Sequence, residues 1–171
     1  MFKLQIKYLS FFFGIVSILS FFNILYSYYF NLYLNLDTYY YTLGTSFILF
    51  ILLFKFGKYD FKSNIFEKIL TIFLGYLLIP LVLSIPFYFS IYNLSFLNSF
   101  FEAISGFTST GFTVFDNIKL VDQSLIIWRS STQWIGGLYF LFSIIYLIYI
   151  YDENFKKTLT NFISFNSSEI L

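Results

Sequence analysis

Residues 100–113 have the sequence Phe100-Phe-Glu-Ala-Ile-Ser-Gly-Phe-Thr-Ser-Thr-Gly-Phe-Thr113, which is the most informative stretch of the chain. Its first half has the apolar spacing of a short helix, and its second half is rich in hydroxyl groups and glycine. Because apolar segments of membrane length lie on both sides, the stretch predicts a pore loop. One such loop cannot close a pore by itself, so the rest of the pore must come from elsewhere.

The composition is that of an integral membrane protein. Of the 171 residues, 58% are hydrophobic and 11% are charged, against roughly 25% charged residues in soluble domains. The net charge of +1 provides no basic surface, which argues against a nucleic-acid partner. The chain has no Cys and no His, which excludes disulfides, thiolate or imidazole metal sites, and catalysis by those side chains. We therefore expect neither enzyme activity nor a cofactor in this chain.

Four segments are apolar enough to span a hydrocarbon core about 30 Å thick, namely residues 8–30, 39–56, 69–89 and 125–151. Basic residues at or beyond the ends of these spans cluster before the first span, around the connection from the second to the third, and after the fourth: Lys3, Lys7, Lys55, Lys58, Lys62, Lys68, Lys156 and Lys157. The positive-inside rule then places both termini in the cytoplasm and residues 31–38 and 91–124 outside. The predicted fold is all-α in the inner cell membrane, with about four transmembrane helices, one re-entrant pore helix and a filter loop.

The external segment has the chemistry of a cation pathway. Ser95 or Asn98 can cap a short helix, and the C-terminal end of that helix carries a partial negative charge that favours a cation beyond Phe107. The hydroxyl and carbonyl groups that follow are hard oxygen donors, and Gly111 can adopt a positive φ. An ordinary polar turn between an outer amphipathic helix and the next span is the competing interpretation of the same residues.

Two further motifs favour the pore interpretation. Residues 101–113, followed by Trp128-Arg129 and by Gln133-Trp-Ile-Gly-Gly-Leu138, resemble the first pore repeat of the TrkH/KtrB superfamily of potassium-uptake proteins. The resemblance covers nearly the whole chain. It implies an N-terminal two-helix membrane hairpin in residues 1–62, a helix–pore loop–helix repeat in residues 63–151, and a cytoplasmic polar tail in residues 152–171 that we expect to be truncated.

Carried over to this chain, the resemblance implies a potassium filter with ion coordination at Thr110 and Gly111. Thr108 lies at its base and Phe112 and Thr113 at its outer positions, so that the filter comprises Thr108, Ser109, Thr110, Gly111, Phe112 and Thr113. Four residues would support the pore. Glu102 would pair or anchor the loop, Arg129 would reach the interface or the loop carbonyls, and Gly136 and Gly137 would permit close helix packing or a bend.

Two features lie outside the filter pattern. Asp116 and Asp122 are most simply explained as solvated loop charges, with weak attraction of cations as the alternative. Tyr139 stands where the family often has another glycine, which predicts a stiffer or more crowded inner helix.

The predicted function is passive potassium uptake as the N-terminal part of a TrkH-like transporter, with no covalent chemistry. In that family four repeats surround one pore, so three repeats are missing here and would come from a downstream frame or from other copies. Besides the lipid bilayer, the expected partner is a cytosolic nucleotide-binding regulator of the TrkA/KtrA type. The alternatives are a homotetrameric pore and a non-conducting membrane anchor or assembly protein. A small membrane enzyme is disfavoured, because the spans of this chain contain no cluster of acidic residues.

Overall fold

The computed structural model describes the backbone of residues 6–57 and 65–168, and the side chains of residues 6–57 and 66–147. This part of the chain is helical and contains no β-strand. The helices are α1 (Ile6–Tyr29), α2 (Leu36–Phe56), α3 (Ile65–Leu83), α4 (Ile85–Tyr88), α5 (Phe96–Phe107) and α6 (Gln123–Ser168), with a short 3₁₀ turn at Ile118–Leu120.

Three helical segments in the described residues are long and apolar enough to cross a membrane: Ile6–Tyr29, Leu36–Phe56 and Phe66–Tyr88. They match the first three predicted spans. The third is interrupted at Ser84, between α3 and α4, where Pro80 and Pro86 each remove a backbone N–H from the helical ladder. The predicted fourth span, residues 125–151, lies within α6, and its crossing of the membrane stays a prediction.

Helices α1 and α2 form a hairpin with the most extensive helix–helix contact in the described chain. Small polar side chains line it, because they let two backbones approach closely in an apolar environment. The Thr42 and Ser46 hydroxyls donate to carbonyls one turn earlier in their own helix, at 2.8 and 2.7 Å. The assignment of these two helices to a separate N-terminal pair stays a prediction, and its boundary at residue 62 lies outside the described residues.

The core lies where α1, α3, α5 and α6 meet around Tyr139, which is fully buried. The rings of Phe12, Tyr76 and Phe107 lie with their centroids 4.7, 5.0 and 5.4 Å from its own. The Tyr139 hydroxyl donates to the Ile72 carbonyl at 2.8 Å. A Cβ at Gly75 would collide with that hydroxyl oxygen. The Tyr139 side chain therefore fits in the core because Gly75, on α3, has no side chain.

Helix α6 is the longest element, with 46 residues, which corresponds to roughly 69 Å at the rise of an α-helix. It continues beyond the predicted span, so the segment predicted as a polar tail is helical as far as Ser168. Residues 169–171 lie outside the described residues. The placement of this extension in the cytoplasm remains a prediction.

Candidate functional site

Helix α5 presents the candidate loop from a short, strongly two-sided scaffold. Its N-terminus is capped by Ser95, whose hydroxyl accepts a hydrogen bond from the Asn98 N–H at 3.3 Å. The helix has 12 residues and is therefore roughly 18 Å long, about three fifths of the thickness of the hydrocarbon core. Glu102, Ala103 and Phe107 are on its buried face.

The end of α5 turns the chain sharply away from the helix axis. The Thr110 N–H donates to the Ser105 carbonyl at 3.0 Å and the Ser109 N–H to the Gly106 carbonyl at 2.9 Å, which is the Schellman pattern of helix termination. Ser109 has a φ of 55° and Gly111 a φ of 85°. The predicted positive φ of Gly111 is confirmed, whereas the left-handed serine was not anticipated because such positions favour glycine.

Glu102 joins α5 to the outer part of the loop that follows it, which we call the α5 loop (residues 108–116). The side chain is fully buried. Its two carboxylate oxygens each accept from the Thr113 hydroxyl at 3.0 Å, and one accepts from the Val114 N–H at 2.9 Å. The hydroxyl of Thr113 is thus directed at the protein interior, and the place of this residue at an outer position of the filter stays a prediction.

Arg129, near the start of α6, forms an ion pair with Glu102 and also binds the α5 loop; we call these two residues the loop anchor. Its Nε atom lies 2.5 Å from a Glu102 oxygen, and its Nη2 atom donates to the carbonyls of Gly111 and Phe112 at 3.1 and 3.0 Å. The Phe112 carbonyl also accepts from the Ser105 hydroxyl at 2.7 Å. Charge-assisted hydrogen bonds of this kind are stronger and shorter than neutral ones. The guanidinium therefore fixes the backbone of the α5 loop from behind.

The loop residues nearer to α5 are exposed in the described chain. Residues 108–112 are exposed, whereas Thr113 is half-buried. The Thr108 hydroxyl donates to the Ile104 carbonyl at 2.8 Å and lies 2.7 Å from the Thr110 hydroxyl. The structure thus divides the six predicted filter residues by their contacts: Gly111, Phe112 and Thr113 contact Glu102 or Arg129 through a carbonyl or a hydroxyl, whereas residues 108–110 form the part nearer to α5.

The two predicted support glycines occupy different environments. A Cβ at Gly136 would collide with the carbonyl oxygen of Phe107 and lie 2.8 Å from its Cα, so α6 touches the end of α5 there. Gly137 has nothing within 4 Å of the same point. Both glycines line a cavity of about 440 Å³ beneath the loop, together with Tyr76, Phe107, Thr108, Ser109 and Phe140.

The expectation for Asp122 was wrong. Its carboxylate is half-buried and accepts hydrogen bonds from the Asn35 amide at 3.0 Å and from the Ser124 hydroxyl. Its carbonyl accepts from the Leu125 and Ile126 N–H groups at the start of α6. The position of an aspartate just before the apolar run of α6 is a helix-start signal that could have identified it. Asp116, in contrast, is exposed as expected.

Comparisons with known proteins place this arrangement in a family. Residues 48–158 match the sequence model described as TrkH, cation transport protein. An uncharacterized cation transporter of Methanocaldococcus jannaschii is 37% identical over 65 residues, which are 38% of this chain and 14% of that protein. The potassium uptake protein TrkG of Escherichia coli is 41% identical over 46 residues, 27% of this chain and 10% of its own length.

The Escherichia coli Trk system potassium uptake protein TrkH is 33% identical over 82 residues, which are 47% of this chain and 17% of that protein. The matched part thus spans less than a fifth of the length of these relatives. No solved structure matches the chain. Because the family match covers most of the chain, and three helices among the described residues can span a membrane, this chain is a membrane protein of the TrkH family of cation transport proteins.

Proposed function

We propose that the chain supplies one helix–pore loop–helix repeat, together with an N-terminal helix pair, to a TrkH-type potassium transporter. In this proposal α3, α5 and the first part of α6 are the outer helix, the pore helix and the inner helix. Both termini lie in the cytoplasm and the α5 loop faces the outside of the inner membrane. The observation that carries the proposal is the Glu102–Arg129 pair, which holds a glycine- and hydroxyl-rich loop at the end of a short helix.

The chemistry of the loop suits an alkali cation that loses part of its water. The oxygen atoms of Thr108, Ser109 and Thr110 are hard donors on the exposed side of the loop, just beyond the negative end of the α5 dipole. Arg129 hydrogen-bonds to the carbonyls of Gly111 and Phe112, so in this proposal the ion is coordinated by oxygen atoms of residues 108–110. Ion passage would be passive.

One loop supplies one quarter of a filter with four-fold pseudosymmetry. The remaining repeats would come from further sequence or from other copies of a pore-loop chain. The relatives that share the matched segment include proteins of Trk potassium uptake systems. By that analogy a cytosolic nucleotide-binding regulator of the TrkA/KtrA type would control the assembled pore.

The test is rubidium influx into cells that lack their own potassium-uptake systems. We expect influx when the chain is expressed together with its downstream frame, and none from the chain alone. Absence of influx with the complete frame, at normal membrane abundance, would contradict the proposal. Influx from the chain alone would instead favour a pore made of four copies.

Gly111 provides the matching test of the filter assignment. Asparagine tolerates a left-handed backbone better than other non-glycine residues, so Gly111→Asn adds a side chain to the loop with limited strain. We expect this variant to lower the ratio of rubidium to sodium influx. Gly44→Asn is the control, since Gly44 lies in α2 with nothing within 4 Å of an added Cβ. An unchanged ratio in Gly111→Asn would remove Gly111 from the filter.

A further inference from the structure

The N-terminal hairpin is joined to the start of α6 by a cluster of polar side chains, which we call the outer bridge (Asn23, Asn35, Tyr39, Asp122 and Ser124). The Asn35 amide donates to the Asp122 carboxylate at 3.0 Å, and the Tyr39 hydroxyl lies 2.8 Å from the Ser124 hydroxyl. The Asn23 amide donates to the Ser124 carbonyl at 3.3 Å. Three side chains of α1 and of the α2 N-terminal region thus contact the first residues of α6.

Four of the five residues of the outer bridge are shielded from water, whereas Asp122 is half-buried. Asn35 is 1% exposed, Asn23 is 2% exposed, and Tyr39 and Ser124 are fully buried. Asn35 also accepts a hydrogen bond from the Ile91 N–H at 3.1 Å, so it connects three segments of the chain. Buried polar groups are costly to leave unpaired. These contacts therefore hold the start of α6 in one position relative to the hairpin.

A direct path leads from the outer bridge to the loop anchor. The ring of Tyr39 lies 6.0 Å from that of Trp128, which is fully buried and donates through Nε1 to the Leu83 carbonyl at 3.0 Å. Arg129 is the next residue. It also lies seven residues after Asp122, the residue that immediately precedes α6 and accepts from its first N–H groups, a separation of roughly two helical turns. Any rotation or shift of the start of α6 would move Arg129 with it.

We propose that the outer bridge is a positioning device for the ion filter. By fixing the rotation and depth of the first turns of α6, Asn35, Tyr39 and Asp122 keep the Arg129 guanidinium on Glu102 and on the carbonyls of Gly111 and Phe112. Residues of the N-terminal pair, which contribute nothing to the filter itself, would then influence ion selectivity. This inference rests on the proposed function, because selectivity is a property of the assembled transporter.

A reciprocal exchange of side chains tests the proposal. Asn35→Asp places a second carboxylate against Asp122 and breaks the contact by repulsion. We expect the ratio of rubidium to sodium influx, measured with the downstream frame present, to fall by about tenfold, the size expected from one hydrogen bond to a half-buried charged group. Adding Asp122→Asn to the same chain restores the hydrogen bond in the opposite direction, because an amide at position 122 can donate to the carboxylate at position 35. The double variant should return to within about twofold of the parent.

Asn31→Asp is the matched control. Asn31 lies in the same α1–α2 connection, is exposed, and accepts a hydrogen bond from the Tyr33 hydroxyl. Its influx ratio should equal that of the parent. An unchanged ratio in Asn35→Asp at parental abundance would overturn the proposal, and so would a double variant as impaired as the single one.

A second measurement needs no ion flux. Spin labels at Phe101 on α5 and Ser130 on α6, both exposed, report the distance between these helices in the chain reconstituted in lipid. Asn35→Asp should shift or broaden that distance distribution, and the double variant should restore it. If the complete frame conducts no ions, the proposed function fails while this comparison still tests the bridge. A parental distance distribution in Asn35→Asp, or a displaced α6 with unchanged selectivity, would contradict the positioning role.

Discussion

At the scale of single residues, the α5 loop is held by polar atoms that each serve more than one contact. One Glu102 carboxylate binds Thr113, Val114 and Arg129. Ser105 donates through its hydroxyl to Phe112 and accepts through its carbonyl from Thr110. Because these contacts share partners, a change at one of them moves the others. The conformation of the loop is therefore determined by residues outside it.

Gly136 and Gly137 allow a comparison of two adjacent residues of the same type. Replacing a helical glycine by alanine gains about 1 kcal/mol in helix propensity. We expect Gly137→Ala to keep or raise the free energy of unfolding, since no atom lies within 4 Å of the added methyl group. We expect Gly136→Ala to lower it by about 1–3 kcal/mol despite the same gain, since overpacking against the Phe107 carbonyl outweighs propensity.

The measurement is unfolding of the purified chain in detergent, followed by the circular dichroism of its helices. Gly137→Ala serves as the control for Gly136→Ala, because it changes the same helix by the same group. Equal stabilities of the two variants would show that α6 does not touch the end of α5 at Gly136.

At the scale of helices and loops, the sequence predicted the elements whose signals are local. The long apolar runs identify α1, α2 and α3, and Ser95 with the following apolar positions identifies α5. Glycine at position 111 correctly indicated a left-handed turn. These predictions succeed because propensity, capping and hydrophobic periodicity act within a few residues of chain.

Contacts between distant segments were not predictable in the same way. Asn35 and Asp122 are 87 positions apart, and no local pattern pairs them. The room for Tyr139 is provided by Gly75 on another helix, so the expected crowding is resolved by a residue that carries no signal of its own. The division of the six candidate filter residues likewise depends on the reach of Arg129 from α6.

The Glu102–Arg129 pair connects α5, the α5 loop and α6. Loss of the pair should therefore loosen all three. Glu102→Gln keeps the shape of the side chain but leaves the guanidinium without a counter-charge in a site where only 16% of the Arg129 side chain is exposed. Breaking a buried ion pair on one side costs about 3–5 kcal/mol. We expect a loss of unfolding free energy near the lower end of that range, measured in the same detergent assay.

Asp116→Asn removes the same charge from an exposed position of the α5 loop and is the control. It should change the unfolding free energy by less than about 0.5 kcal/mol. If Glu102→Gln were as stable as this control, the pair would contribute nothing to anchoring the loop, and the support for a fixed filter would be lost.

At the scale of the whole molecule, the position of the α5 loop depends on whether α5 re-enters the membrane and α6 crosses it. The loop oxygens of residues 108–110 and the cavity beneath them lie at an exposed edge of the described fold. Such irregular backbone is tolerated at membrane depth only where other protein or water covers it. A pore role therefore requires residues 108–116 and the end of α6 to be on opposite sides of the membrane.

The absence of cysteine from the sequence makes this topology directly measurable. Asp116→Cys should react with a membrane-impermeant maleimide in intact cells, whereas Lys157→Cys should react only after permeabilisation, because the positive-inside rule places the two positions on opposite sides. The unmodified chain and Gly44→Cys, in the middle of α2, are the unlabelled controls. Labelling of both positions in intact cells would mean that α6 does not cross. In that case the α5 loop would be an external turn, and it could not form part of a pore through the membrane.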